Sequence, residues 1–103
     1  MEPESLEWEL GLRRRLVAGH RDAFADLYDQ YAAVVFGVAM RVTSNRQAAE
    51  DVSQAVFLEA WEHADRFDPT RGSWRSWLAT IDNALVSWLR MVVFPGEPEF
   101  VRG

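Results

Sequence analysis

Phe24, Leu27, Tyr28, Tyr31, Val35, Val38 and Val42 recur at steps of three and four, which lays them along one stripe of a helix predicted over 21–43. Ser44 or Asn45 then stands where a helix N-cap is needed, with Gln47 three residues after Ser44 in capping-box spacing. A second helix is predicted from there to about Ala64, with Ala49, Val52, Val56, Phe57 and Ala60 inward. Asp68-Pro69-Thr70-Arg71-Gly72 has turn composition, because Pro fixes φ and Gly admits conformations closed to other residues. Ser73 is placed to cap a third helix, on which Trp74, Trp77, Leu78, Ile81, Leu85, Trp88 and Leu89 keep helical spacing as far as about Met91. Upstream, Leu6, Leu10, Leu12 and Leu16 predict a short leading helix. Pro95, Gly96 and Pro98 mark residues 94–103 as a disordered tail. The expected fold is all-α, one domain over 1–93: a compact bundle of three main helices plus a short N-terminal helix.

Composition narrows the functions open to such a bundle. The chain has 103 residues, 49% hydrophobic and 26% charged, which suits one small domain with a single core. It has no Cys, and its two His, His20 and His63, lie far apart, so a disulfide framework and a structural zinc site are both excluded. The eleven cationic residues are all Arg, and sixteen acids outnumber them for a net charge of −5. A strongly basic nucleic-acid binder is not what this balance predicts. The acidic opening MEPESLEWEL lacks the basic and apolar regions of a signal peptide, and no run of apolar residues is long enough to span a membrane. A cytoplasmic protein without membrane insertion is expected. No nucleophile–base constellation, phosphate loop or metal box is present, so neither catalysis nor a cofactor is expected.

Three stretches are more specific than amphipathicity requires. AEDVSQAVFLEAW occupies 49–61, RFDPTRGS comes next at 66–73, and WLATI at 77–81. Together they resemble region 2 of bacterial sigma factors of the extracytoplasmic-function (ECF) group, where an AEDVxQ…FLxxW helix, an RFDPxRGS turn and a WLxTI helix succeed one another. Ala23-Phe24, Leu27-Tyr28 and Tyr31 are similar to the family's AF..LY..Y opening helix. The resemblance covers roughly residues 16–90.

The resemblance implies two surfaces. Region 2 of that family binds the clamp helices, a coiled coil of the β′ subunit of RNA polymerase, through its second helix. Here that face maps to Asp51, Gln54, Ala55 and Leu58, with Glu50 at its edge. These positions step by three and four, so they share a face opposite much of the apolar stripe, with acidic groups for a basic partner and Leu58 as the apolar contact. The family also reads the non-template strand of the −10 promoter element, with one base flipped into a pocket beside the turn. Arg66, Phe67, Asp68, Arg71, Gly72, Ser73, Trp74, Arg75 and Asn83 are the residues implied for DNA. Charge is segregated accordingly: residues 50–65 carry five acids and no Arg, residues 66–90 four Arg and two Asp. RNA polymerase core, promoter DNA and an anti-sigma factor are the partners implied.

The match departs in the third helix. After WLxTI the family continues A-R-N-R-A-x-D-x-L-R, whereas this chain reads Asp82-Asn83-Ala84-Leu85-Val86-Ser87-Trp88-Leu89-Arg90. The alignment drops one residue inside a helix, which rotates the remainder of that helix by about 100°. Two arginines are missing, and Asp82 is read as a charge that repels phosphate. No counterpart of region 4, the family's reader of the −35 element, occurs in the sequence, so an alternative is a sigma-like interaction protein that binds polymerase or an anti-sigma factor without reading a promoter. Trp61, Trp77 and Trp88 are expected in the core by their spacing. Trp74 is open between a core cap and a ring beside the base pocket. Arg13-Arg14-Arg15 is expected to be a solvated face, and His63 to favour a helix C-terminus.

Overall fold

The computed structural model describes residues 5–93, with side chains as far as Trp88; the predicted 94–103 tail, and the Leu89 and Arg90 side chains, lie outside it. Four helices succeed one another in chain order: α1 Leu6–Val17, α2 Arg21–Thr43, α3 Arg46–Glu62 and α4 Trp74–Val93, with a short 3-10 turn at Ala64–Arg66. The described residues contain no strand, and the expected all-α bundle is what the chain forms.

Each connection has a local chemical cause. After α1, Gly19 takes φ 85°, and the N–H groups of Gly19 and His20 donate to the carbonyls of Leu16 and Arg15, satisfying the end of the helix. Between α2 and α3, Ser44 adopts the left-handed conformation and closes α2, while Asn45 caps α3 by accepting from the Ala48 N–H at 2.9 Å. The capping-box alternative on Ser44 is therefore not used, and Gln47 donates to Asp51 instead. Helix α3 stops at Glu62 rather than Ala64, because the chain tightens into the 3-10 turn.

Helix α2 is the centre of the bundle, packing on α1, α3 and α4. Its buried row is Ala23, Leu27, Tyr31, Val35 and Ala39, every fourth residue. The predicted stripe is displaced by one residue at its ends: Tyr28 is exposed and Phe24, Val38 and Val42 only half-buried, while the small Ala23 and Ala39 are fully buried against the neighbouring helices. On α3 all five predicted residues, Ala49, Val52, Val56, Phe57 and Ala60, are buried. Helix α1 turns Leu12 and Leu16 inward, but Leu6 and Leu10 face solvent and the third inward position is Glu9.

The largest departure lies in α4. Its buried row is Trp74, Leu78, Asp82 and Val86, with Trp77, Ile81 and Leu85 half-buried and Trp88 exposed. Asp82 thus occupies the core and does not face phosphate, and Trp88, expected inside, is outside. Once packing turns Leu78 and Val86 inward, helical geometry carries position 82, four residues from each, inward as well, and turns Trp88, two residues past Val86, outward. Neither Asp82 carboxylate oxygen has a hydrogen-bond partner among the described residues.

Burial pushes the Asp82 carboxyl up from 3.8 to about 6. The fold therefore favours the protonated acid; stability falls as pH rises from the unfolded value through about 6, and the loss is complete above it. At about 1.4 kcal/mol per pH unit, the ionised form costs the fold roughly 3 kcal/mol at neutral pH. Asp82→Ala is expected to stabilise the chain by about 2 kcal/mol at pH 7, the remainder being lost to the vacated volume, and to give no gain at pH 4. Urea melts at the two pH values check this, and an equal effect at both would contradict it.

Candidate functional site

The turn between α3 and α4 encloses an open cleft of about 290 Å³, lined by Arg66, Phe67, Asp68, Arg71, Gly72, Ser73, Ser76, Trp77 and Thr80. Asp68 organises the turn: its Oδ1 accepts from the Thr70 N–H at 3.0 Å and the Thr70 hydroxyl at 2.6 Å, and its carbonyl accepts from the Arg71 N–H. The Thr70 hydroxyl and N–H hold the Asp68 carboxyl below its usual value, with the Arg71 charge adding to the effect. Ser73 and Ser76 cap α4 reciprocally: each backbone N–H donates to the other's Oγ at 3.1 Å. A Cβ on Gly72 would stand 2.9 Å from Ser76 Oγ, so glycine leaves that capping hydroxyl in place.

Six of the nine residues implied for DNA therefore converge on one cleft: Arg66, Phe67, Asp68, Arg71, Gly72 and Ser73. Arg66 and Arg71 form no ion pair among the described residues. The other three lie elsewhere. Trp74 is fully buried, its ring stacked on Phe67 with centroids 4.0 Å apart, which corrects its assignment to a DNA surface. Arg75 stands with its guanidinium 5.7 Å from the centre of the Tyr31 ring, on the side of α4 that faces α2. Asn83 is exposed on α4 beyond the cleft. Ser76, Trp77 and Thr80, absent from the implied set, complete the cleft. Their spacing carried the signal, since positions 73, 76, 77 and 80 share one helical face.

The second surface is on α3. Asp51, Gln54 and Leu58 are exposed, Ala55 and Glu50 half-buried, so the residues implied for polymerase share an accessible face. Gln47 donates to Asp51 at 3.1 Å, and Arg46 pairs with Glu50 at 3.4 Å, which leaves the polar face pre-arranged along the helix. Helix α2 contributes what sequence reasoning missed. Tyr28, Ala32, Ala33 and Phe36 form a groove with Glu50, Gln54 and Phe57, and Leu58 joins Arg21, Phe24 and Trp61 in a second hollow. Periodicity alone places Tyr28 and Phe24 inside; in the fold they pack on Phe57 and Trp61 while keeping one side open.

Two arginines of the α1 cluster, Arg13 and Arg15, make contacts beyond their own helix, while Arg14 is exposed as expected. Arg13 Nε donates to the Phe67 carbonyl and its Nη2 to the Asp65 carbonyl, each at 2.8 Å, while Arg15 pairs with Asp26 at 2.6 Å and Asp22 at 3.5 Å. Glu9, only 5% exposed, accepts from the Trp74 N–H through Oε2 at 3.0 Å, and its carbonyl accepts from the Trp74 indole at 3.2 Å. Its place was legible: Glu9, Leu12 and Leu16 step by three and four, so the carboxylate sits on the buried stripe. His63 closes α3 and lies 3.8 Å from Glu59. No helix among the described residues is long and apolar enough to cross a membrane.

The family model for Sigma-70 region 2 matches residues 27–91. The ECF RNA polymerase sigma factor SigK of Mycobacterium tuberculosis strain H37Rv, and that of Mycobacterium bovis strain BCG / Pasteur, are 39% identical to this chain over 80 residues, 77% of it and 43% of each relative. SigK of Mycobacterium ulcerans strain Agy99 is 39% identical over 70 residues, 68% of this chain and 37% of that protein. The chain thus spans less than half the length of these relatives. Most of α2, all of α3, the turn and most of α4 fall within the matched residues, and the chain belongs to the sigma-70 region 2 family, as a region 2 domain of the ECF group.

Proposed function

We propose that this chain is a non-catalytic transcription-initiation module that docks on the RNA polymerase β′ clamp helices through α3 and offers the 66–80 cleft to one flipped base of the −10 non-template strand. It acts in the cytoplasm, where polymerase and promoter are. The observation that carries this is the cleft itself, in which the two arginines form no ion pair among the described residues and stand beside the Trp77 ring and a row of hydroxyls. An unstacked base is held by an aromatic face and polar groups, and Arg tracks the adjoining phosphates. The acidic and apolar mixture of Asp51, Gln54 and Leu58 suits a basic amphipathic partner helix.

A second reading has its own observation. The exposed track of α4 beyond the cleft passes through Asn83, Ala84 and Ser87 and has no cation among the described residues, and Arg75 is turned toward Tyr31. The helix thus adds few phosphate contacts, which favours a protein that binds polymerase or an anti-sigma factor and reads DNA weakly.

Two experiments test the pair. Asp51→Arg is expected to reduce capture of core polymerase by about tenfold or more, with the circular-dichroism spectrum unchanged; undiminished capture would remove α3 as the docking face. In fluorescence titrations with single-stranded DNA across a salt series, Arg66→Ala and Arg71→Ala are each expected to flatten the logarithmic salt slope by about 0.7, the value of one lost phosphate contact on a single strand. Sequence-independent binding with unaltered slopes would favour the second reading.

A further inference from the structure

Helix α1 lines no part of the cleft, yet its side chains hold both ends of the turn that forms it. At one end the Arg13 guanidinium bridges the Asp65 and Phe67 carbonyls, each bond 2.8 Å. At the other, the Glu9 side chain accepts from the Trp74 backbone N–H at 3.0 Å, and the Glu9 backbone carbonyl accepts from the indole N–H at 3.2 Å. The two ends meet inside, where the Phe67 and Trp74 rings stack at 4.0 Å and Trp77, a wall of the cleft, packs edge-on against Trp74 at 5.4 Å. Between them, among the described residues, the hydrogen bonds of the turn are short-range: Thr70 to Asp68, Arg71 to Asp68, and the Ser73–Ser76 cap. None of these fixes the separation of residues 67 and 74.

We propose that α1 is a positioning element for the nucleotide cleft, with Arg13 and Glu9 as its positioning residues. The proposal rests on the base-binding reading of the cleft, and α1 lies outside the residues matched by the family model. The chemistry suits the task at each end. A guanidinium presents two donors in one plane and so spans two carbonyls that a single ammonium would leave half satisfied. A buried carboxylate at the start of α4 meets both a backbone donor without a helical partner and the positive end of the helix dipole. Holding residues 65–67 and 74 against the same helix sets the directions from which Arg66, Arg71 and Ser73 enter the cleft. The ordering is done before the nucleotide arrives, which is how a small cleft with few contacts retains affinity.

The test uses the full chain. Amide hydrogen exchange is compared for the unaltered protein, Arg13→Ala, Arg13→Lys and Glu9→Gln, and binding is measured to a single-stranded DNA selected from a randomised pool on the unaltered protein. With two charge-assisted bonds removed, Arg13→Ala is expected to speed exchange across 66–73 about tenfold and to weaken the selected DNA by a similar factor, while exchange in the α2–α3 core and capture of core polymerase are unchanged. Arg13→Lys recovers part of both, and Glu9→Gln, which keeps an acceptor without the charge, falls between and serves if Arg13→Ala does not fold. Faster exchange everywhere, or equal loss of DNA and polymerase binding, would make α1 a general stabiliser and overturn the proposal. Unchanged exchange at 66–73 would overturn it directly. If the pool yields no binder, the nucleotide reading of the cleft falls, and the exchange data still decide whether α1 positions the turn.

Discussion

A buried carboxylate at the head of α4 is the contact on which this domain turns. A helix begins with backbone N–H groups that have no partner inside it, and α4 begins in the interior, at a fully buried Trp74. Water does not reach that N–H, so a protein acceptor must, and Glu9 supplies one from α1. Once Glu9 is committed there, the indole N–H of Trp74 meets the Glu9 carbonyl, and the Trp74 ring lies flat on Phe67. That stack ties the residue that follows the 3-10 turn to the first of α4. Two long-range hydrogen bonds to Glu9 and one aromatic stack therefore determine where the irregular segment 67–73 runs.

The same division between held and available groups organises the surfaces. The segment that carries Arg66 and Arg71 is held by the Arg13 guanidinium, by the Asp68 carboxylate and by a capping pair of serines, while its own two arginines form no ion pair among the described residues. On α3 the polar residues are joined to one another along the helix, Gln47 to Asp51 and Arg46 to Glu50, while the aromatic residues of α2 form the floor beside them. One pair of helices thereby presents a mixed face, and the turn between α3 and α4 presents a cationic cleft. A chain with a net charge of −5 can offer a cationic cleft in this way because its charges are sorted by segment.

Asp82 stands against this background as an unsupported group. Glu9 is buried with donors; Asp82 is buried without any among the described residues. The difference is expressed as a carboxyl pushed up to about 6, which makes the core of α4 less stable at neutral than at acid pH. The departure of this helix from the family's sequence pattern therefore acts first on stability, and its exposed positions Asn83, Ala84 and Ser87 carry none of the cations that the family pattern has there.

The residues alone determined the helices and their order. Apolar spacing of three and four marks α2, α3 and α4 because burial of one face is a local, periodic requirement, and the motifs at 49–61, 66–73 and 77–81 identified the family because their residue types are tied to particular turns and caps. They also gathered most of the cleft, since 66–73 is contiguous in the chain. What they left undetermined is what depends on a partner element. Whether Tyr28 or Trp88 is inside, whether Arg13 is solvated and whether Asp82 faces phosphate are settled by the rotation of each helix about its axis, and that rotation is fixed by close packing at Ala23, Ala39 and Ala60, where no side chain is large enough to announce itself. Tertiary structure alone brought α1 to the turn, because a bond between Glu9 and Trp74 joins positions that no periodicity relates.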